Sequence, residues 1–168
     1  MDKILTVTNL EKSFHTREGE IKALDSISFD VSDKEFISIV GPSGCGKSTI
    51  LSILAGLEEK SNGEISFSKD YTIGYMLQND SLFEWRTVLE NCLLGLEVTK
   101  KLTKENKDYV IYLLKTYGLG EFMDEYPSRL SGGMRQRVAL IRTLATKPDI
   151  LLLDEAMSAL DYQSRLAI

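Results

Sequence analysis

Residues 41–49 read Gly41-Pro42-Ser43-Gly44-Cys45-Gly46-Lys47-Ser48-Thr49 and match the pattern GxxxxGK[ST]. Glycines at 41, 44 and 46 let the backbone turn its N–H groups inward, so that the loop can surround phosphate oxygens. The pattern carries this meaning when a strand precedes it and a helix follows, because the helix then adds its positive N-terminal end. Both flanks suit that context. Phe36 to Val40 is a short apolar run ending at Gly41, which predicts a buried strand entering a loop. Ser48 to Glu58, STILSILAGLE, predicts a helix with Ile50, Leu51, Leu54 and Leu57 on the face that covers a sheet. In this arrangement Lys47 reaches the β- and γ-phosphates of a nucleotide and the Ser48 hydroxyl ligates Mg²⁺. Cys45 has no nearby histidine to activate it and reads as a small filler of the loop.

Working outward, alternation in Ile4 to Val7 and at Ile27, Phe29 and Val31 predicts strands near the start. Ser61, Asn62 and Gly63 predict a turn, followed by strands over Ile65 to Phe67 and Tyr71 to Leu77. After Gln78 the pattern becomes helical. Thr87 and Glu90 form a capping box ahead of Val88, Leu89, Cys92, Leu93 and Leu96. A second helix is expected from about Thr103 to Tyr117, with Val110, Leu113 and Leu114 inward and Gly118 ending it. A third starts near Ser131, with Met134, Val138, Ile141 and Ala145 on one face and Pro148 as its stop. Ile150 to Leu153 is then an aliphatic run before Asp154 and Glu155, as expected of a parallel strand that delivers carboxylates to the edge of a sheet. The sequence therefore predicts an α/β fold whose sheet carries an inserted helical subdomain over about 79–147.

The phosphate loop by itself leaves kinases, GTPases, helicases and transport ATPases open. The run Ile150-Leu151-Leu152-Leu153-Asp154-Glu155 has the form of a Walker B strand, with Asp154 holding Mg²⁺ through water and Glu155 beside an attacking water. Leu130-Ser131-Gly132-Gly133-Met134-Arg135-Gln136-Arg137 narrows the choice. Ser131, Gly132 and Gly133 at a helix start form a second surface of exposed N–H groups and a hydroxyl. This segment resembles the LSGGQ signature of the ATP-binding cassette (ABC) ATPases, and it precedes the Walker B strand as it does in that family.

The resemblance runs from about Ile4 to Ile168. It implies a P-loop NTPase (RecA-like) core sheet with an N-terminal antiparallel β-subdomain and one ABC ATP-binding domain over 1–168, with ATP and Mg²⁺ as ligands. It also implies a head-to-tail homodimer, in which Ser131, Gly132 and Gly133 of one copy face the γ-phosphate held by the other. Gln78 matches the Q-loop glutamine that senses Mg²⁺ and water, and Ser158 to Asp161 match the D-loop. Phe14 stands where an aromatic stacks on adenine. The stretch GYMLQNDSLFEWRTVLENCLLGLE, residues 74–97, resembles the ATPases of nitrate, sulfonate and taurine importers. The implied partners are membrane-spanning permease subunits, met through Leu82, Phe83, Trp85 and Arg86, and indirectly a solute-binding protein. An alternative place for Trp85 is inside its own helical subdomain. The chain departs from the family at Met134, where glutamine is usual, and at Ala156 and Met157. The family carries a switch histidine on a later strand that also belongs to the core. The sole histidine here, His15, is near the start, so the resemblance implies a core short of its C-terminal part. A hydrolysis-deficient nucleotide-binding fragment is then the main alternative, ahead of a non-transport ABC ATPase and a small-molecule kinase.

Composition narrows the rest. Of 168 residues, 43% are hydrophobic and 27% charged, as in ordinary globular domains. A net charge of -5 supplies no field to attract a nucleic acid backbone. Lys100, Lys101, Lys104 and Lys107 alternate with Glu105 and Asp108 as on a solvated helix face. Two cysteines, Cys45 and Cys92, suggest no disulfide framework, which favours a reducing compartment. No run approaches the ~20 apolar residues of a membrane span. The expected location is the cytoplasmic face of the membrane, reached through the permease.

Overall fold

The structure, a computed structural model, describes residues 2–17 and 19–155. The D-loop match at Ser158 to Asp161 and the departures at Ala156 and Met157 lie outside them. The chain divides between Thr72 and Ile73 into two compact units, and each is described by itself.

The first unit is built on a three-stranded antiparallel sheet in the order β2-β1-β3. Strand β1 spans Lys3–Thr16, β2 Gly19–Ser32 and β3 Asn62–Phe67. Alternation buries Leu5, Val7 and Leu10 of β1, and Leu24 of β2 joins them. The register shifts between Thr8 and Glu11, where Asn9 adopts φ 47 and Gly63 of β3 φ 87. A side chain on Gly63 would run into the Asn9 carbonyl, so the close approach of the two strands requires glycine there. The turn expected at Ser61 to Gly63 is therefore the beginning of β3 instead. Helix α1 covers Lys47–Leu54 and buries Ile50, Ile53 and Leu54. Leu57 is not on that face, because the helix ends at Ala55 and Gly56 takes φ 73, which leaves Leu57 exposed.

Phe36 to Val40, expected as a strand, has no regular structure, and Phe36 and Val40 are 89% and 88% exposed. An apolar run becomes a strand only where a neighbour completes its ladder, and no described strand pairs with it.

In the second unit β4, Ile73–Met76, pairs in parallel with β5, Ile150–Leu153. Helices α2 (Val88–Val98), α3 (Lys104–Thr116) and α4 (Gly132–Leu144) pack around one core that includes Met76, Val88, Cys92, Leu96, Val110, Leu114, Val138 and Ile141. Their ends follow the sequence. The capping box of Thr87 and Glu90 is formed in both directions, Thr103 caps α3, and Gly118 takes φ 71 just beyond it. Gly74 lets α4 close on β4, since a Cβ there would lie 2.9 Å from the Thr143 methyl. Among the described residues, no helix is long and apolar enough to cross a membrane.

Candidate functional site

In the first unit the loop from Gly41 to Gly46 leads straight into α1. Gly46 is the residue before the helix and adopts φ 92. A Cβ on it would lie 2.6 Å from a Leu24 methyl and 2.7 Å from the Ala23 carbonyl oxygen, so this corner turns only with glycine. A Cβ on Gly41 would come within 2.6 Å of the Cys45 sulfur, and Gly44 has φ 79. The Cys45 N–H donates to the Pro42 carbonyl at 3.3 Å. Lys47 folds its ammonium back over the loop and donates to the Gly41 and Pro42 carbonyls, each at 3.0 Å. Ser43 and Ser48 are exposed and Thr49 is half-buried. Phe14, further along the same unit, is 37% exposed near the end of β1.

In the second unit, parallel pairing sets the geometry. Met76 lies opposite Leu153, and the Asp154 N–H donates to the Met76 carbonyl at 3.0 Å. Both chains therefore leave the sheet at the same level, with Gln78 and Glu155 each two residues beyond the last pair. The Gln78 amide nitrogen donates to a Glu155 carboxylate oxygen at 2.8 Å. Asp154 is buried at 5% exposure and accepts a long hydrogen bond from the Tyr75 hydroxyl at 3.4 Å.

Ser131 ends an extended segment, and its hydroxyl accepts from the Met134 N–H at 3.4 Å as the cap of α4. Ser131 and Gly132 are exposed and Gly133 half-buried. A Cβ on Gly132 would meet nothing within 4 Å, so no internal packing asks for glycine at that position.

Four side chains to which the sequence assigned no role, Gln136, Arg135, Arg142 and Asn91, hold this part together. Gln136, on α4, donates from its amide nitrogen to the Gln78 carbonyl at 3.3 Å, while its amide oxygen is buried with no partner among the described residues. Arg135 grips both oxygens of Asp80 at 2.8 and 3.0 Å and reaches Glu84 at 2.7 Å. The Arg135 hydrogen bonds hold the Asp80 carboxyl below the usual carboxylate range and raise the guanidinium in turn. Arg142 donates to the Asp80 and Ser81 carbonyls at 2.6 and 2.8 Å, and burial lowers its pKa. Asn91, fully buried, accepts from the Phe83 N–H and donates to the carbonyls of Phe83, Arg86 and Thr87. The loop from Asp80 to Arg86 is thus fastened to α2 and α4. On it Trp85 is 72% exposed with Phe83 at 4.8 Å between ring centroids, while Leu82 is buried and Arg86 pairs with Glu97 at 2.7 Å. Trp85 is not packed into its own subdomain. Cys92, by contrast, is buried, and its thiol is pushed up to about 12.

The family model for ABC transporters matches residues 24–158. The chain belongs to the ABC transporter family. It is 46% identical over 170 residues to an uncharacterised ABC transporter ATP-binding protein of Bacillus subtilis, YtlC, covering 98% of this chain and 65% of that one. To the taurine import ATP-binding protein TauB of Rhizobium johnstonii it is 41% identical over 169 residues, covering 96% and 64%. The dimeric structure of MJ0796, a bacterial ABC transporter cassette, superposes with TM-score 0.87 at 32% identity, covering 97% of this chain and 78% of that one. The same cassette is known in a post-hydrolysis state bound to ADP and Pi. This ABC chain spans less than two thirds of the length of both curated relatives. Its structural neighbours are cassettes, in keeping with an α/β P-loop NTPase fold.

Magnesium takes hard oxygen donors and keeps only one or two protein ligands, with phosphate and water completing its shell. Ser48 offers an exposed hydroxyl, Asp154 a carboxylate and Gln78 the amide oxygen opposite the nitrogen that Glu155 engages. Among the described residues no group of three or more His, Cys, Asp or Glu could cage a metal by itself. The oxygen donors in each unit, Ser48 in the first and Gln78 and Asp154 in the second, are of the kind that magnesium takes.

Proposed function

We propose that this chain binds ATP with Mg²⁺ and hydrolyses it to ADP and phosphate as the ATP-binding subunit of an importer. The observation that carries this is the loop at Gly41 to Lys47, whose glycine corner and inturned lysine supply what a triphosphate needs. Gly41, Pro42, Ser43, Gly44, Cys45, Gly46, Lys47, Ser48 and Thr49 take the phosphates, and Phe14 takes the base. Bound Mg²⁺, held by Ser48, Gln78 and Asp154, would neutralise phosphate charge. Glu155 accepts a hydrogen bond from the attacking water, and Gln78 orients that carboxylate through the bond it already makes.

Ser131, Gly132 and Gly133 are assigned to the γ-phosphate of a second copy, in a homodimer like the neighbour described as dimeric. The exposed Trp85 on its fastened loop is assigned to a permease subunit, which would hold the chain at the cytoplasmic face. A name such as taurine import among the relatives supports a small solute of the nitrate, sulfonate or taurine kind. The solute-binding protein is reached only through that permease.

Isothermal titration tests the reading. ATP with Mg²⁺ should bind the wild-type chain, and Lys47→Ala should weaken binding by at least about a hundredfold, the loss of a charge-assisted phosphate contact. Equal affinity of the two would refute it. Turnover should fall by about a hundredfold or more in Glu155→Gln with ATP binding retained.

A further inference from the structure

We propose that Lys12 is a positioning residue for the base, a buried cation that fixes the Phe14 ring and makes its outer face selective for an electron-rich purine. This rests on the ATP assignment above and adds a residue to it. Lys12 and Phe14 are two apart on β1 and so share a face of the sheet. Lys12 is only 9% exposed, which is uncommon for a lysine, and its environment accounts for the burial. Its ammonium donates to the Glu58 carboxylate at 2.6 Å and to the Glu59 carbonyl at 2.7 Å, and it lies 4.7 Å from the centroid of the Phe14 ring. An ammonium has three protons. Two go to oxygens and the ring stands at the third side.

Two consequences follow. First, one face of Phe14 is occupied by the cation, while the residue is still 37% exposed, so a planar ligand can approach only from the other side. The cation draws π density towards itself, which makes the outer face less negative and a better partner for an electron-rich ring. Secondly, Glu58 and Glu59 lie just beyond α1, the helix that begins at Lys47. One ammonium therefore ties the ring to the far end of the element that opens at the phosphate loop, and the interval between base platform and phosphate grip is set within a single unit.

The experiment compares dissociation constants for ATP and for inorganic tripolyphosphate, which lacks a base, by isothermal titration of the full chain. Lys12→Gln keeps a hydrogen-bonding group for Glu58 and removes the charge. It should weaken ATP by about three- to tenfold and leave tripolyphosphate unchanged. Lys12→Arg, which retains a cation, should keep ATP affinity within about twofold. In a Phe14→Leu background, which preserves apolar bulk without a π face, Lys12→Gln should add less than about twofold. Equal weakening of both ligands, no change for ATP, or full additivity with Phe14→Leu would each overturn the proposal while leaving the phosphate grip standing. If Lys12→Gln does not fold, Phe14→Leu and Lys12→Arg decide: the first must weaken ATP alone and the second must not. Failure of the wild type to bind either ligand would overturn the ATP assignment and this proposal together.

Discussion

Two helices of this chain carry a glycine at their N-terminal end, Gly46 just before α1 and Gly132 as the first residue of α4, and they do so for opposite reasons. At α1, Gly46 is demanded from inside, since its φ of 92 and the nearness of Leu24 and Ala23 leave no room for a side chain. At α4, Gly132 has nothing within 4 Å of where a Cβ would stand, and the Ser131 cap would form with alanine next to it. The first glycine builds a loop; the second keeps a surface bare. A residue type without an internal cause points to an external one, and here it supports assigning Ser131 to Gly133 to a ligand held by a second molecule.

Substitutions test this contrast. Gly46→Ala should cost about 2–4 kcal/mol of stability through backbone strain and overpacking, read from the denaturant midpoint, and should lose ATP binding with it. A stable Gly46→Ala protein would remove the internal half of the argument. Gln136→Leu removes the hydrogen bond from α4 to the Gln78 carbonyl, and should lower kcat about tenfold with KM unchanged, because it disturbs the orientation of Glu155 through Gln78. A rise in KM with kcat intact would place Gln136 in packing alone.

The Asp80–Arg135 pair should appear in the pH dependence of stability. Asp80 titrates below its unfolded value, so its contribution is present above about pH 4 and is lost as pH falls through the depressed folded pKa. Wild type and Asp80→Asn should therefore converge in unfolding midpoint on acidification, and parallel curves would deny the pair its role. Gly132→Ala should change stability by less than about 0.5 kcal/mol, yet abolish assembly that depends on ATP.

Much of this was legible in the sequence because it is local. The helix after the phosphate loop, the capping box at Thr87 and the helix start near Ser131 are decided within a few residues, and each formed as expected, whereas the strand expected before that loop did not. Gln78 and Glu155 could be singled out as motif residues, but their hydrogen bond follows from the β4–β5 register across 77 residues. Phe36 to Val40 shows the converse: a short apolar run states a capacity for a strand, while pairing is a property of other segments. Gln136 and Lys12 were silent for the same reason. Gln136 meets a carbonyl 58 residues away, and the burial of Lys12 depends on Glu58, 46 residues on. The Arg135 grip on Asp80 spans 55 residues and could not be seen in either segment by itself.

The most direct test is sedimentation velocity of the Glu155→Gln chain with and without ATP and Mg²⁺. The account predicts a dimer that forms only with the nucleotide and disappears when Ser131 is replaced by arginine. A chain that binds ATP yet stays monomeric, or a dimer indifferent to Ser131→Arg, would contradict it.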